Sequence, residues 1–158
     1  MKKILILALG ALAMISCAKQ PCDARHTCWA YDATIYELNT RQATPEGTFA
    51  AAEALLPEIK ESGVDIIWIM PIQKIGELER KGTLGSYYAI TDYCQFNPEF
   101  GTRADFESFL AKAHELGLKV ILDWVANHTA PDSEWTKNDG WHYRDSLGNL
   151  MVQYDWTD

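Results

Sequence analysis

The chain has 158 residues, enough for one ordinary domain, and its 47% hydrophobic content excludes a disordered chain. Acidic residues outnumber basic ones by 22 to 14, and the net charge of −8 argues against a nucleic-acid partner, because phosphate contacts need a basic surface. The first predicted element is an apolar run over residues 4–15 that follows two lysines. This run is shorter than a membrane-spanning helix and is typical of an export signal.

The signal ends at residues 14–17 (MISC), which resemble a bacterial lipoprotein signal, where cleavage precedes a cysteine that then carries lipid. We therefore expect a lipoprotein-type signal peptide over residues 1–17, with Cys17 as the lipidation site, and a tether over residues 18–28. The alternative is an ordinary signal peptide cut after the ALA of residues 11–13. Both predict an exported domain, and the lipid would anchor it to a membrane, in the periplasm or at the cell surface.

Three cysteines remain beyond the signal. Cys22 and Cys28 lie close together in the sequence and could pair in an oxidising compartment, which would leave Cys94 over. The alternative is that all three are free thiols. Their spacing is not that of a metal site.

Strands and helices alternate beyond the tether. A near-continuous apolar run over residues 64–70 is typical of a buried parallel strand, and the TRAD sequence from Thr102 predicts a capping box closed by Asp105. Pro57 is expected to kink or shorten the first helix. The predicted strands are residues 34–39, 64–70 and 118–125, with one helix between Thr48 and Gly63 and another between Thr102 and Gly117.

This order predicts right-handed βαβ units and a parallel sheet, which fits a doubly wound open sheet or an eight-fold barrel. No Gly-rich phosphate loop follows a strand, which favours the barrel. The long segments, residues 71–101 and 126 onward, both leave the carboxyl ends of strands, where barrel enzymes carry their active sites. We therefore expect the N-terminal portion of a (β/α)8 TIM barrel, incomplete, with about three strands.

Polar residues follow the third predicted strand, where Asp123 is succeeded by Asn127 and His128. Side-chain alternation directs Ile121 and Asp123 toward the barrel interior if their neighbours face the helices. The alternative is a structural Asp held by an arginine or by backbone N–H groups. An Asn oxygen suits calcium, and a neutral His suits a sugar hydroxyl or a metal.

Aromatic residues crowd the two long segments, and flat apolar rings suit the faces of sugars. The alternative is that these rings form small loop cores, but together on one rim they favour a carbohydrate ligand. They are Tyr87, Tyr88 and Tyr93 in the first segment, and Trp135, Trp141, Tyr143, Tyr154 and Trp156 in the second.

Four runs, in order, resemble the α-amylase family of glycoside hydrolases, family 13: IYELNTRQ, GVDIIWIMPI, YAITDY with NPEFGT, and DWVANH. The resemblance implies that residues 29–158 are a partial catalytic barrel domain ending in the loop after the third strand. It implies that Tyr88 stacks under the sugar and that His128 hydrogen-bonds the same sugar. Asp123 matches an acid that orients an active-site arginine, and Asn127 matches a residue that binds calcium in many members.

The resemblance also implies a retaining hydrolase of α-glucans or maltooligosaccharides, with a carboxylate nucleophile and a carboxylic general acid. Neither is expected in this chain, because the family places both on later strands. Asp155 and Asp158 are expected to be loop acids. We therefore expect an inactive N-terminal fragment whose inward residues Ile69, Ile121 and Val125 lack cover. The alternative is an exported, non-catalytic glucan-binding protein.

Overall fold

The structure is a computed structural model that describes residues 27–151. The predicted signal, Cys17, Cys22 and the residues from 152 onward lie outside the described residues. The chain divides into two units, residues 1–33 and 34–158, of which the first contributes a 3-10 helix at Cys28–Ala30. Cys28 is disulfide-bonded, and Cys94 is an exposed free thiol. No helix between residues 27 and 151 is long and apolar enough to cross a membrane.

The second unit is built on a three-stranded parallel sheet, as the sequence predicted. Its strands are β1 (Ile35–Leu38), β2 (Ile66–Ile69) and β5 (Lys119–Leu122), in the spatial order β1-β2-β5. The register aligns Leu38 with Ile69 and Ile69 with Leu122. Each crossover between these strands carries helices, which is the βαβ arrangement of a parallel sheet.

Two of the helices begin where the sequence places their caps. Thr48 accepts a hydrogen bond from the Ala51 N–H, and Thr102 forms the predicted capping box with Asp105. The first predicted helix is divided into two, and Pro57 lies in the first turn of the second one, where proline is tolerated. The helices are α1 (Thr40–Ala43), which was not predicted, α2 (Phe49–Glu53), α3 (Leu56–Glu61) and α4 (Arg103–Glu115).

The core lies between the sheet and these helices, with Phe49 at its centre. Phe49 meets the rings of Phe96, Phe100 and Phe106 edge-on, with centroids 6.1, 5.9 and 5.2 Å away. Such edge-to-face pairs favour the quadrupoles of the rings. The cluster joins α2 to α4, to the 3-10 helix Pro98–Phe100 and to the strand Ile90–Phe96, so Phe49 ties four elements together.

The opposite face of the sheet is open among the described residues. Ile35, Trp68 and Ile121 on this face are 54%, 36% and 43% exposed. The prediction that Ile69 and Val125 would also lack cover is wrong, since they are 0% and 7% exposed. Strand alternation places Ile69 toward the helices, and its neighbour Trp68 takes the inward position.

The segment 71–101 contains an antiparallel pair of strands that the sequence pattern did not predict. Strand β3 (Gln73–Ile75) pairs with β4 (Ile90–Phe96), with register irregularities on both sides of Lys74. Their connection is fixed to the loop after β5 by Asp132, whose carboxylate accepts hydrogen bonds from the Glu77 and Leu78 N–H groups. Burial raises the pKa of Asp132, but these hydrogen bonds and one from Thr91 outweigh it and lower that pKa overall.

Candidate active site at the carboxyl ends of the strands

The site is built around Asp123, the first residue after β5. Its backbone N–H donates to the Ile69 carbonyl oxygen at 2.9 Å, so the pairing of β2 with β5 extends to this residue. Because side chains alternate, Asp123 shares the face of Ile121, which is the open face of the sheet. The half-buried carboxylate therefore lies at the rim that would border a barrel interior.

Tyr88 is brought to this carboxylate from the connection between β3 and β4. Its hydroxyl donates to Asp123 Oδ2 at 2.8 Å, and its backbone N–H donates to the Ser86 hydroxyl. The other carboxylate oxygen, Oδ1, accepts no hydrogen bond from residues 27–151. The pair thus fixes the orientation of the Tyr88 ring and leaves one carboxylate oxygen for a cation such as an arginine.

The same contact changes the acidity of the phenol. Burial, followed by the hydrogen bond to Asp123 and its charge, raises the pKa of Tyr88 to about 12. A charge at Glu37 contributes in the same direction. Tyr88 is therefore neutral at physiological pH and can present an aromatic face with a fixed hydrogen-bonding edge.

Glu37 is a residue of this region that the sequence analysis did not single out. It occupies the β1 position level with Trp68, which in turn aligns with Ile121, so all three lie on the open face. An acid inside the strand sequence IYEL was the available signal, because a carboxylate on a sheet face needs a partner or a function.

His128 and Asn127 lie on the exposed loop that follows β5. Asn127 Nδ2 and His128 Nδ1 are 3.3 Å apart. No hydrogen bond among the described residues joins the His128 ring to Tyr88 or Asp123. Instead the loop backbone is held by the Tyr93 hydroxyl, which lies 2.7 Å from the Val125 carbonyl oxygen and 2.9 Å from that of His128.

The aromatic residues do not form a single rim. The Tyr87 hydroxyl accepts a hydrogen bond from Asn39, and Tyr93 stacks on Trp135 with centroids 4.4 Å apart and planes 4° from parallel. Trp124 lies tilted against Tyr93 with the ring centroids 5.3 Å apart, and Trp141 meets Trp135 edge-on at 5.9 Å. Among the aromatic residues within 27–151, Tyr88 alone is hydrogen-bonded to Asp123. The loop-core alternative describes the cluster around Tyr93. Tyr154 and Trp156 lie outside the described residues.

The described residues around Asn127 offer few side-chain ligands for calcium. Calcium takes 6–8 oxygen ligands, preferably carboxylates and carbonyls. The exposed Asn127 supplies one amide oxygen, and no group of three or more His, Cys, Asp or Glu side chains within residues 27–151 could hold a metal. Calcium at Asn127 therefore stays a prediction, and no chemical step depends on it here.

The fold and this rim define a class: the N-terminal part of a TIM barrel that carries a polar site at the carboxyl ends of its strands. The sequence of residues 34–149 matches the family described as "Alpha amylase, catalytic domain". The chain belongs to this family of glycoside hydrolases, as the four sequence runs indicated.

Individual relatives agree with this assignment. The α-amylase MalA of Haloarcula japonica is 36% identical over 116 residues, which cover 72% of this chain and 16% of that protein. An α-glucosidase of Apis mellifera is 31% identical over 140 residues, 85% of this chain and 23% of that protein. The chain therefore spans less than a quarter of the length of these two relatives.

Solved structures match the described fold. A crystal structure of an α-amylase from Lactobacillus plantarum superimposes with a TM-score of 0.76 at 50% identity, covering 80% of this chain and 30% of that one. A maltogenic α-amylase from Thermotoga neapolitana gives 0.73 at 38% identity, covering 78% and 30%. The predicted fold class, the N-terminal portion of a TIM barrel, is confirmed.

The Tyr88–Asp123 contact predicts a titration behaviour. In the folded protein a tyrosine should titrate near pH 12, and Asp123→Asn should lower its pKa only partway toward the ordinary value of about 10, because burial is the larger cause. A phenol whose pKa is raised on folding stabilises the fold fully below pH 10, and that contribution is lost as the pH rises through about 12. NMR of ¹³Cζ-labelled tyrosine, with Tyr88→Phe for assignment, measures the pKa of Tyr88 in the parent protein and in Asp123→Asn. An Asp123→Asn titration that matches the parent would contradict the contact.

Proposed function

We propose that this chain forms part of an α-amylase-like glycoside hydrolase that acts on α-glucans or maltooligosaccharides by a retaining mechanism. One observation carries the proposal: in a chain of this family, Tyr88 and Asp123, 35 residues apart in sequence, are hydrogen-bonded at the carboxyl ends of the strands. Relatives named α-glucosidase and oligo-1,6-glucosidase support an α-glucoside as the substrate.

The described residues bind and orient in this mechanism. The Tyr88 ring stacks beneath a glucose unit, and its bond to Asp123 fixes the plane of the ring. The free Oδ1 of Asp123 pairs with an arginine beside the catalytic carboxylates, and the exposed His128 ring donates to a sugar hydroxyl. A retaining mechanism needs a nucleophile and a general acid about 5–5.5 Å apart. We assign neither role to Asp123, and we expect both in residues beyond the third strand.

Product analysis with maltoheptaose tests this function. The full-length gene product should release shorter maltooligosaccharides or glucose, detected by anion-exchange chromatography, whereas residues 18–158 alone should release none. Calorimetric binding of maltoheptaose by the full-length gene product, without any product, would support the non-catalytic glucan-binding alternative. Cleavage by residues 18–158 alone would show that the catalytic carboxylates are misassigned.

We also propose that the protein is exported and held at a membrane, facing away from the cytoplasm, by lipid on Cys17. The support is the MISC sequence at residues 14–17, which lies outside the described residues. Cells grown with radioactive palmitate should label the parent protein and not Cys17→Ser. No label on either protein would favour the ordinary signal peptide, and equal label on both would show that the lipid is not on Cys17.

A further inference from the structure

We propose that Arg41 is a positioning residue that holds the loop of residues 84–88 and thereby keeps Tyr88 on Asp123. The geometry stands on its own, and its consequence for catalysis rests on the proposed function. Arg41 belongs to α1 and lies three residues beyond Leu38, the last residue of β1. Its side chain is only 13% exposed, so the guanidinium lies inside the loop rather than in solvent.

The guanidinium binds the loop backbone and one acid at once. Nη1 donates to the Gly85 carbonyl oxygen at 3.1 Å, and Nη2 donates to that of Leu84 at 3.2 Å. Nη2 also forms an ion pair with Glu99 Oε2 at 2.8 Å. The planar fork of arginine allows these contacts simultaneously, which the point charge of lysine does not.

Tyr87 is held from two sides by the same region of the chain. The Arg41 guanidinium lies over its ring, 4.4 Å from the centroid, and Asn39 Nδ2 donates to its hydroxyl at 3.0 Å. Cation–π contacts of this kind strengthen when they are desolvated. Fixing the ring of Tyr87 fixes the backbone from which the next residue, Tyr88, reaches Asp123.

The packing of Arg41 also leaves two buried polar atoms unpaired, which costs folding free energy. Its Nε and the Oδ1 of Asn39 are buried without a hydrogen-bond partner among the described residues. A buried unpaired polar atom costs about 1–3 kcal/mol. These two atoms add no stability of their own, so the loop is held by the contacts that Arg41 makes with Leu84, Gly85 and Tyr87.

The test compares Arg41→Met and Arg41→Lys with Arg103→Met in the full-length gene product. Arg103 is a matched control because it also forms a 2.8 Å ion pair, but its side chain is 80% exposed. The readout is the ionised fraction of the Tyr88 phenol at pH 11, measured by ¹³Cζ NMR, with circular dichroism to verify folding. A pKa of about 12 corresponds to about one tenth ionised at that pH.

We expect both Arg41 variants to raise this fraction to about one half or more, because a released Tyr88 loses its burial and its bond to Asp123. The sign is decisive: removing a positive charge by itself would raise the phenol pKa and lower the ionised fraction. An unchanged or lower fraction in a folded Arg41 variant would overturn the proposal. If Arg41→Met fails to fold, Arg41→Lys gives the same comparison, because lysine lacks the planar fork of arginine.

A second measurement separates this proposal from the proposed function. If the gene product cleaves maltoheptaose, the Arg41 variants should lose about tenfold in kcat/KM. The reason is that a displaced Tyr88 ring would hold the sugar in a less reactive orientation. Arg103→Met should retain the parent value. If the parent cleaves nothing while the Tyr88 titration still shifts in the Arg41 variants, the proposed function fails and the positioning role of Arg41 stands.

Discussion

Replacing Asp123 with Asn is expected to lower kcat/KM for maltoheptaose about 10²–10³-fold in the full-length gene product, the scale seen when one preorganised polar group is removed from an active site. The amide keeps the size of the side chain and can still accept a hydrogen bond from the Tyr88 hydroxyl, now 2.8 Å from Oδ2. It removes the negative charge that would hold an arginine beside the reacting sugar. Steady-state kinetics, with circular dichroism to verify folding, measure the change.

Asp139→Asn is the matched control, since it makes the same chemical change on an exposed residue of the loop after β5. Its kcat/KM should stay within about twofold of the parent value, because exposed surface substitutions have small effects. An Asp123→Asn enzyme with parental kinetics would leave Asp123 with the structural role that the sequence also allowed.

Replacing Phe49 with Ala is expected to cost about 3–5 kcal/mol of folding free energy. Phe49 is 1% exposed, and three other phenylalanine rings lie against it. Its removal opens a cavity where α2, α4 and the 3-10 helix Pro98–Phe100 meet. Because whole domains are stable by only about 5–15 kcal/mol, the loss is a large share of the total. Urea unfolding of the full-length gene product, followed by tryptophan fluorescence, measures it.

Leu147→Ala serves as the control, because Leu147 is 85% exposed and its truncation should cost less than about 0.5 kcal/mol. Equal midpoints for Phe49→Ala and Leu147→Ala would show that the phenylalanine cluster does not hold these elements together.

Local signals in the sequence predicted much of this fold. The apolar run around Ile67 specified a buried strand, and the Thr102–Asp105 pair specified the start of α4. The β3–β4 pair could not be predicted in the same way. Its strands are separated by a long connection rather than a two-residue turn, and register irregularities break the alternation that identifies a strand.

The candidate site was predictable in part. The polar residue at a strand end singled out Asp123, and the family resemblance added Tyr88, which the structure places in contact with it. Arg41 and Glu37 were missed because their significance depends on tertiary contacts: one reaches Glu99 across the sequence, and the other faces the open side of the sheet. Likewise, the strand pattern alone did not distinguish which of Trp68 and Ile69 faces the helices, because both are apolar.

The most direct test of a retaining α-glucan hydrolase is the configuration of the first product. The full-length gene product should be mixed with maltoheptaose in D₂O and followed by ¹H NMR from the first minutes, before mutarotation equilibrates the anomers. We expect α-anomeric reducing-end signals to appear first and β signals to follow, because two displacements at the same carbon retain its configuration. Initial formation of the β-anomer, or tight binding of maltoheptaose with no product at all, would contradict it.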